Sequence, residues 1–214
     1  MFLSRSLKRI VSSFALWTTS PEDAYGEMRS HLTELETWWS NVPSYFKTET
    51  STPPSYARAL YYLHLRYLQV TTIVTRFSLL PHKNTPGNLV VRDHLNAACQ
   101  AANQLSLHLL HMMRQKGLIS TRNFQDVHHI LAVGIVLVVR NVFHPCKTHM
   151  LDLKEMQSLY QLTDHAAIGR AGSRAVSRFI TQSESFQHSE RYASLLVCTA
   201  CDKFEDFFTS LHVY

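Results

Sequence analysis

Cysteine is scarce in this chain: there are four in 214 residues, at positions 99, 146, 198 and 201. They are too few and too irregularly spaced for a disulfide framework, so a reducing compartment is expected. No Asn-x-Ser/Thr acceptor occurs, which removes one hint of secretion. Lys and Arg are scattered, and no block of five or six like charges forms despite a net charge of +5. A mildly basic surface is therefore expected rather than a nucleic-acid-binding tail. No uninterrupted apolar run approaches the roughly 20 residues needed to cross a bilayer as a helix. The longest, "ILAVGIVLVV" at residues 130–139, is flanked by His129 and Arg140 and reads as a buried core helix, with no membrane partner. Alternating strand patterns with hairpin turns are missing as well.

What remains is a chain 45% hydrophobic and 17% charged, apolar enough to bury a sizeable core. Spacings of three and four between Pro, Gly and Asn breaks predict an all-α single domain over residues 1–214, with about seven helices packed around a long central one. "SPED" at 20–23 starts a helix that runs to about Ser40: Ser20 accepts from an orphan N–H, Pro21 suits the first turn, and the acids meet the positive dipole end. Further helices are expected over 55–80, 89–116 (stopped at Gly117), 121–143, 151–163, 170–181 and 190–211. The basic, serine-rich first 20 residues have the composition of a mitochondrial presequence, although Leu3, Leu7, Ile10 and Phe14 equally suit an amphipathic helix of the fold.

The stretch "ARALYYLHLRYLQVTTIVTRFSLL" (57–80) carries two apolar seams. One comprises Leu60, Leu63, Tyr67, Val70, Val74 and Phe77; the other comprises Tyr61, Leu65, Leu68 and Leu79. Arg58, Tyr62, Arg66, Gln69 and Arg76 share a polar wedge between them. Two opposed stripes imply a helix covered on two sides, hence a central one. Its arginines are expected to lay their stems along apolar surface with the guanidinium in water or on a carboxylate, the alternative being an anion-ligand role for Arg66 or Arg76.

In order, "LTELETWWSNVPSYF", then this helix, then "CQAANQLSLHL" resembles the fungal transcription factor regulatory domain, the middle homology region of binuclear zinc-cluster regulators. Leu35, Trp38 and Pro43 resemble that family's Leu-x-x-Trp-x-x-x-Pro segment, with one extra residue before the proline. Leu63, His64, Leu65 and Tyr67 match its Leu-His-x-x-Tyr core, and Arg76 matches an arginine that the family follows with proline, where this chain has Phe77. Cys99, Ala101 and Ala102 resemble the next helix start, slightly shifted. The likeness covers roughly residues 3–145. It implies a nuclear regulatory or interaction domain acting through protein partners of the transcription machinery or a small-molecule effector, with homodimerisation an option. The zinc cluster itself needs six cysteines, so direct sequence-specific DNA binding by this chain alone is not implied. A mitochondrial location stays as the alternative, from the basic N-terminus.

No arrangement for chemistry of its own stands out. Cys198-Thr-Ala-Cys201 has no second pair at zinc spacing, and His108 with His111 lacks the carboxylate of a His-Glu-x-x-His helix. "GRAGSRA" at 169–175 lacks the lysine of a phosphate-binding loop, and no Gly-x-Ser-x-Gly elbow occurs. Arg170, Arg174 and Arg178 lie four apart, more in keeping with a solvated face than with an acidic partner, and Phe204, Phe207 and Phe208 read first as core. The expectation is therefore a non-enzyme with no catalytic residue, cofactor or metal. An effector pocket is placed, if anywhere, at Tyr62, His64 and Arg66, beside Tyr61. The competing readings are a helical enzyme or small-molecule-binding protein using that interhelical pocket, and a truncated fragment without function.

Overall fold

The computed structural model describes residues 21–47, 53–79, 89–120, 123–143 and 147–162, together with 170, 173, 174, 176–178, 180 and 181. The fold is all-α. Five helices lie among the described residues: α1 (Pro21–Asn41), α2 (Pro54–Thr75), α3 (Leu89–Gln115), α4 (Phe124–Phe143) and α5 (Lys147–Gln161). Helical turns continue through the described positions between 170 and 181. Helices anticipated in the first 20 residues and over 190–211 lie outside the described residues, as do the Cys198–Cys201 pair and the Phe204–Phe208 stripe. By packing, the chain divides into two compact units, Met1–Ser120 and Thr121–Tyr214.

In the first unit α2 packs against α1 and, more extensively, α3. Met28, Leu32 and Leu35 of α1 form a core with Val70 and Val74 of α2 and Leu95 of α3. Each is almost wholly withdrawn from water, and burial of one such side chain is worth about 1.5–3 kcal/mol relative to exposure. A short 3-10 turn, Ser44–Phe46, follows α1 after Pro43. Proline also opens α2, which has Pro in its first turn, where the missing N–H costs nothing.

The expected single helix to residue 80 instead tightens into a 3-10 turn at Arg76–Leu79. Local hydroxyl bonds accompany the change: Thr75 Oγ1 donates to the Thr71 carbonyl at 2.8 Å, and Ser78 Oγ to the Thr75 carbonyl at 2.6 Å. Such back-bonding competes with the regular ladder. α3 ends as its glycine predicts. Gly117 has φ +64°; Leu118 N–H reaches the Met113 carbonyl at 2.8 Å and Gly117 N–H the Arg114 carbonyl at 3.0 Å, which is the Schellman pattern.

In the second unit α4 packs on α5. It starts at Phe124 rather than near 121, because Asn123 caps it: Asn123 Oδ1 accepts from Gln125 N–H at 2.9 Å. α5 starts four residues ahead of the expected Leu151. α4 is long and apolar enough to cross a membrane by length and composition alone, with a mean hydropathy of 1.6 over 18 residues, yet 72% of that window is buried within the protein, as in a core helix. Gly134 lets α5 approach closely. A Cβ there would collide with Tyr160 Oη and lie 2.9 Å from its ring atom Cε2. Tyr160 is itself buried, its hydroxyl 3.5 Å from the Leu131 carbonyl.

Candidate functional site

The polar wedge of α2 forms as its spacing requires. Arg66 is exposed, and Arg58, Tyr62 and Gln69 are half-buried. Arg58 folds over the Tyr62 ring, 5.4 Å from its centroid, and donates from Nη2 to the Tyr62 hydroxyl at 2.9 Å. Arg66 Nη1 donates to Gln69 Oε1 at 3.0 Å. These are i,i+4 and i,i+3 pairs along one surface strip.

His64 points elsewhere. Residues two apart on a helix of about 3.6 residues per turn face nearly opposite ways, so Tyr62 and Arg66 share a side that His64 does not. Its Nε2 donates to the Phe46 carbonyl at 2.7 Å, which requires the Nε2–H tautomer. The imidazole also meets the Trp39 ring edge-on, with centroids 5.0 Å apart and planes at 88°. Trp39 in turn stacks on Tyr67 at 4.4 Å and 12°. Lys47 closes the group, with Nζ 6.0 Å from the Trp39 ring and donating to the Ser40 carbonyl at 2.9 Å. The structure thus brings the Trp-containing end of α1, the 3-10 turn after it and the Leu-His-x-x-Tyr segment of α2 into one aromatic cluster. Tyr45 and Phe46 stand exposed at its edge.

Tyr61 belongs to a third neighbourhood. It is buried, and Lys116 reaches it from the end of α3: Nζ donates to the hydroxyl at 2.7 Å and lies 5.1 Å from the ring centroid. At the other end of α2, Arg76 lies close enough to Cys99 of α3 for the thiol to influence its charge. Burial lowers the Arg76 pKa to about 10, and Cys99 pulls it slightly the other way. The two contacts together run α2 and α3 antiparallel. Tyr67 has its pKa raised, first by burial and then by the Glu36 carboxylate.

Between the two seams, on the side away from the wedge, Thr71 and Thr75 are also buried. The seams therefore join into one broad apolar arc, and the threonine hydroxyls are satisfied by carbonyls of their own helix, at 3.1 Å from Tyr67 and 2.8 Å from Thr71. This continuity was hidden in the sequence by the polar letter of threonine.

The second unit holds polar groups that periodicity did not single out. Asp126, His129, Arg140 and Asn141 of α4 are all buried. Asn141 Nδ2 donates to Met150 Sδ of α5 at 3.3 Å. Arg140 appeared in the sequence only as the flank of an apolar run. Arg170, Arg174 and Arg178 are all exposed. Of the candidate histidines, His108 is exposed, and His111 Nε2 lies 2.8 Å from Gln115 Nε2. Among the described residues no group of three His, Cys, Asp or Glu side chains is placed to hold a metal ion.

Over 149 residues, 69% of its length, the chain is 26% identical to a Schizosaccharomyces pombe protein named as an uncharacterized transcriptional regulatory protein. The match spans only 18% of that protein's length. No family model matches the chain, and no solved structure does. The chain is thus distantly similar to a transcriptional regulator.

Proposed function

We propose that this chain is a helical regulatory or interaction domain of a fungal-type transcription regulator, acting in the nucleus through protein partners or a small-molecule effector. One observation carries the reading. The segments resembling the middle homology region pack on one another in the fold: Trp38 meets Tyr67 with ring centroids 6.3 Å apart, its neighbour Trp39 packs on His64 and Tyr67, and Arg76 lies near Cys99, within a chain similar to a transcriptional regulatory protein. Motif residues that meet in space are better support than motif order alone. The reading gives the domain no reaction of its own and no DNA-reading role, since four cysteines cannot build a six-cysteine cluster. It treats α4 as a core helix rather than a membrane span, on the strength of its burial.

In this reading a bound partner or effector shifts the packing of α2 against its neighbours, and that shift alters output. The test is to fuse the 214-residue chain to an unrelated DNA-binding module and measure a reporter in yeast. Output is expected to change several-fold relative to the module alone. It should return to baseline in a Trp39→Ala fusion of matched abundance. A full-length fusion that leaves the reporter at the level of the module alone would overturn the proposal. Unchanged hydrogen exchange in α2 and α3 on adding an active effector would remove the packing-shift mechanism.

A further inference from the structure

Arg140 lies in the last turn of α4 with only 5% of its surface exposed. Among the described residues its Nε and Nη1 have no hydrogen-bond partner. The next residue, Asn141, is 4% exposed; its amide nitrogen reaches only a thioether sulfur, a weak acceptor, and its Oδ1 has no donor. A guanidinium keeps its charge at any ordinary pH, so burial cannot be relieved by losing a proton. A buried charge is tolerated when it is paired, and leaving it without a counter-charge is strongly unfavourable. One turn back on the same side of α4, Val136 and Leu137 are buried too. The guanidinium therefore sits at the polar end of an otherwise apolar strip.

From this arrangement we infer that Arg140 anchors a binding site for a small aliphatic monocarboxylate in the second unit. The carboxylate supplies the acceptors that Nε and Nη1 lack, in a charge-assisted bond of the kind arginine makes best. The aliphatic body lies along Val136 and Leu137. A single negative charge balances a single guanidinium, whereas a phosphate dianion enclosed there would carry excess charge. Asn141 Oδ1, at the same end of the helix, is an acceptor for a hydroxyl or amine on the ligand, so a 2-hydroxy or 2-amino acid makes fuller use of that turn than a plain fatty acid. The inference rests on the regulatory reading only for what binding would accomplish, because the ligand would be that domain's effector.

The test is made on the purified full-length chain, labelled with nitrogen-15, with ionic strength held constant by chloride. The Arg140 Nε–H resonance is assigned by its disappearance in Arg140→Lys. Propionate and lactate are titrated in parallel with propionamide, the neutral isostere, and with inorganic phosphate. The expected result is a saturable shift of that resonance and a rise in melting temperature with the two carboxylates, lactate the tighter, and no response to propionamide. Binding should weaken at least tenfold in Arg140→Lys and vanish in Arg140→Met. An equal response to propionamide, a response undiminished in Arg140→Met, or a preference for phosphate would overturn the assignment. So would an Arg140 Nε–H already protected from solvent exchange without additive, since the guanidinium would then be paired within the chain. If Arg140→Met does not fold, the comparison of propionate with propionamide in the unaltered protein still decides. Failure here leaves the reporter experiment untouched, so loss of this site and loss of the regulatory reading are separately visible.

Discussion

Helices α2 and α4 are both buried over most of their circumference, yet they treat polar groups in opposite ways. α2 gathers its guanidinium groups onto one outer strip, Arg66 exposed and Arg58 half-buried, and satisfies its buried threonine hydroxyls from its own backbone. α4 takes a carboxyl, an imidazole, a guanidinium and an amide inside with it. A short hydroxyl can bend back to a carbonyl one turn earlier, so threonine enters a core at little cost. A guanidinium on a four-atom stem cannot reach back that way, and its demand must be met from outside its own helix. The contrast separates a scaffold helix that answers its own buried hydroxyls from one whose Arg140 and Asn141 leave polar atoms without a hydrogen-bond partner among the described residues.

The largest effect that would sharpen this contrast is expected from Leu65→Ala in α2. Leu65 is 1% exposed, and truncating so buried a leucine should cost about 3 kcal/mol in denaturant unfolding. A loss below about 1 kcal/mol would mean that the second seam of α2 is not the core described here.

Gly134→Ala comes next, with an expected cost of about 2 kcal/mol because the new methyl meets the Tyr160 phenol and the ring has no open space to retreat into. Combining it with Tyr160→Phe should recover part of that loss, as the hydroxyl is the nearest obstruction. Additive costs in the double variant would show that the backbone, not the phenol, sets the limit.

Alkaline pH offers a graded version of the same contrast. Burial raises the Tyr160 pKa well above its ordinary 10.0, and burial also raises those of Tyr25 and Tyr67. For a group whose folded pKa is raised, the unfolded chain loses its proton first, so its stabilising share is intact below about pH 10 and declines as pH rises beyond it. Arg76 acts in the opposite sense above its value of about 10, since its folded form sheds the buried charge more readily than the unfolded chain does. Three phenols against one guanidinium give a net decline. Thermal melts between pH 9 and 11 should show it, and Tyr160→Phe should flatten it.

Arg140→Met should raise the stability of the unliganded protein by about 1 kcal/mol, because it exchanges a buried guanidinium, two of whose nitrogens have no hydrogen-bond partner among the described residues, for an apolar chain of similar length. A loss of similar size would mean that the guanidinium is already compensated. The smallest effect belongs to Arg66→Ala, next to Leu65 on the same helix but exposed, where the unfolding free energy should move by less than about 0.5 kcal/mol.

Much of this was legible in the residues themselves. The break at "NVP", the stop at Gly117, the polar strip of Arg58, Tyr62 and Arg66, and the buried character of residues 130–139 all follow from local spacing and cap chemistry. Three things did not. The tightening at Arg76–Leu79 depends on side-chain bonds that a letter code does not show. The later start of α4 turned on one amide of Asn123 reaching a neighbouring N–H. The partners of His64 are the Trp39 ring and the Phe46 carbonyl, contributed by segments 18 or more residues away, and no periodicity within α2 could indicate them. Arg140 is the instructive case for the candidate site. As the terminal charge of an apolar run it resembles an ordinary solvated boundary, and only its burial distinguishes it.

The threonine ladder of α2 has a mechanical side. Because Thr71 and Thr75 spend their hydroxyls on their own helix, the buried last turns of α2 meet their neighbours through these groups by shape alone. A slide of α2 along its axis would carry those bonds with it intact, whereas two ties in its first half, His64 to the Phe46 carbonyl and Tyr61 to Lys116, are directional and would be strained. The helix is free to slide along its last turns and latched in its first half, where a partner touching Phe46 or Lys116 has leverage on the interior.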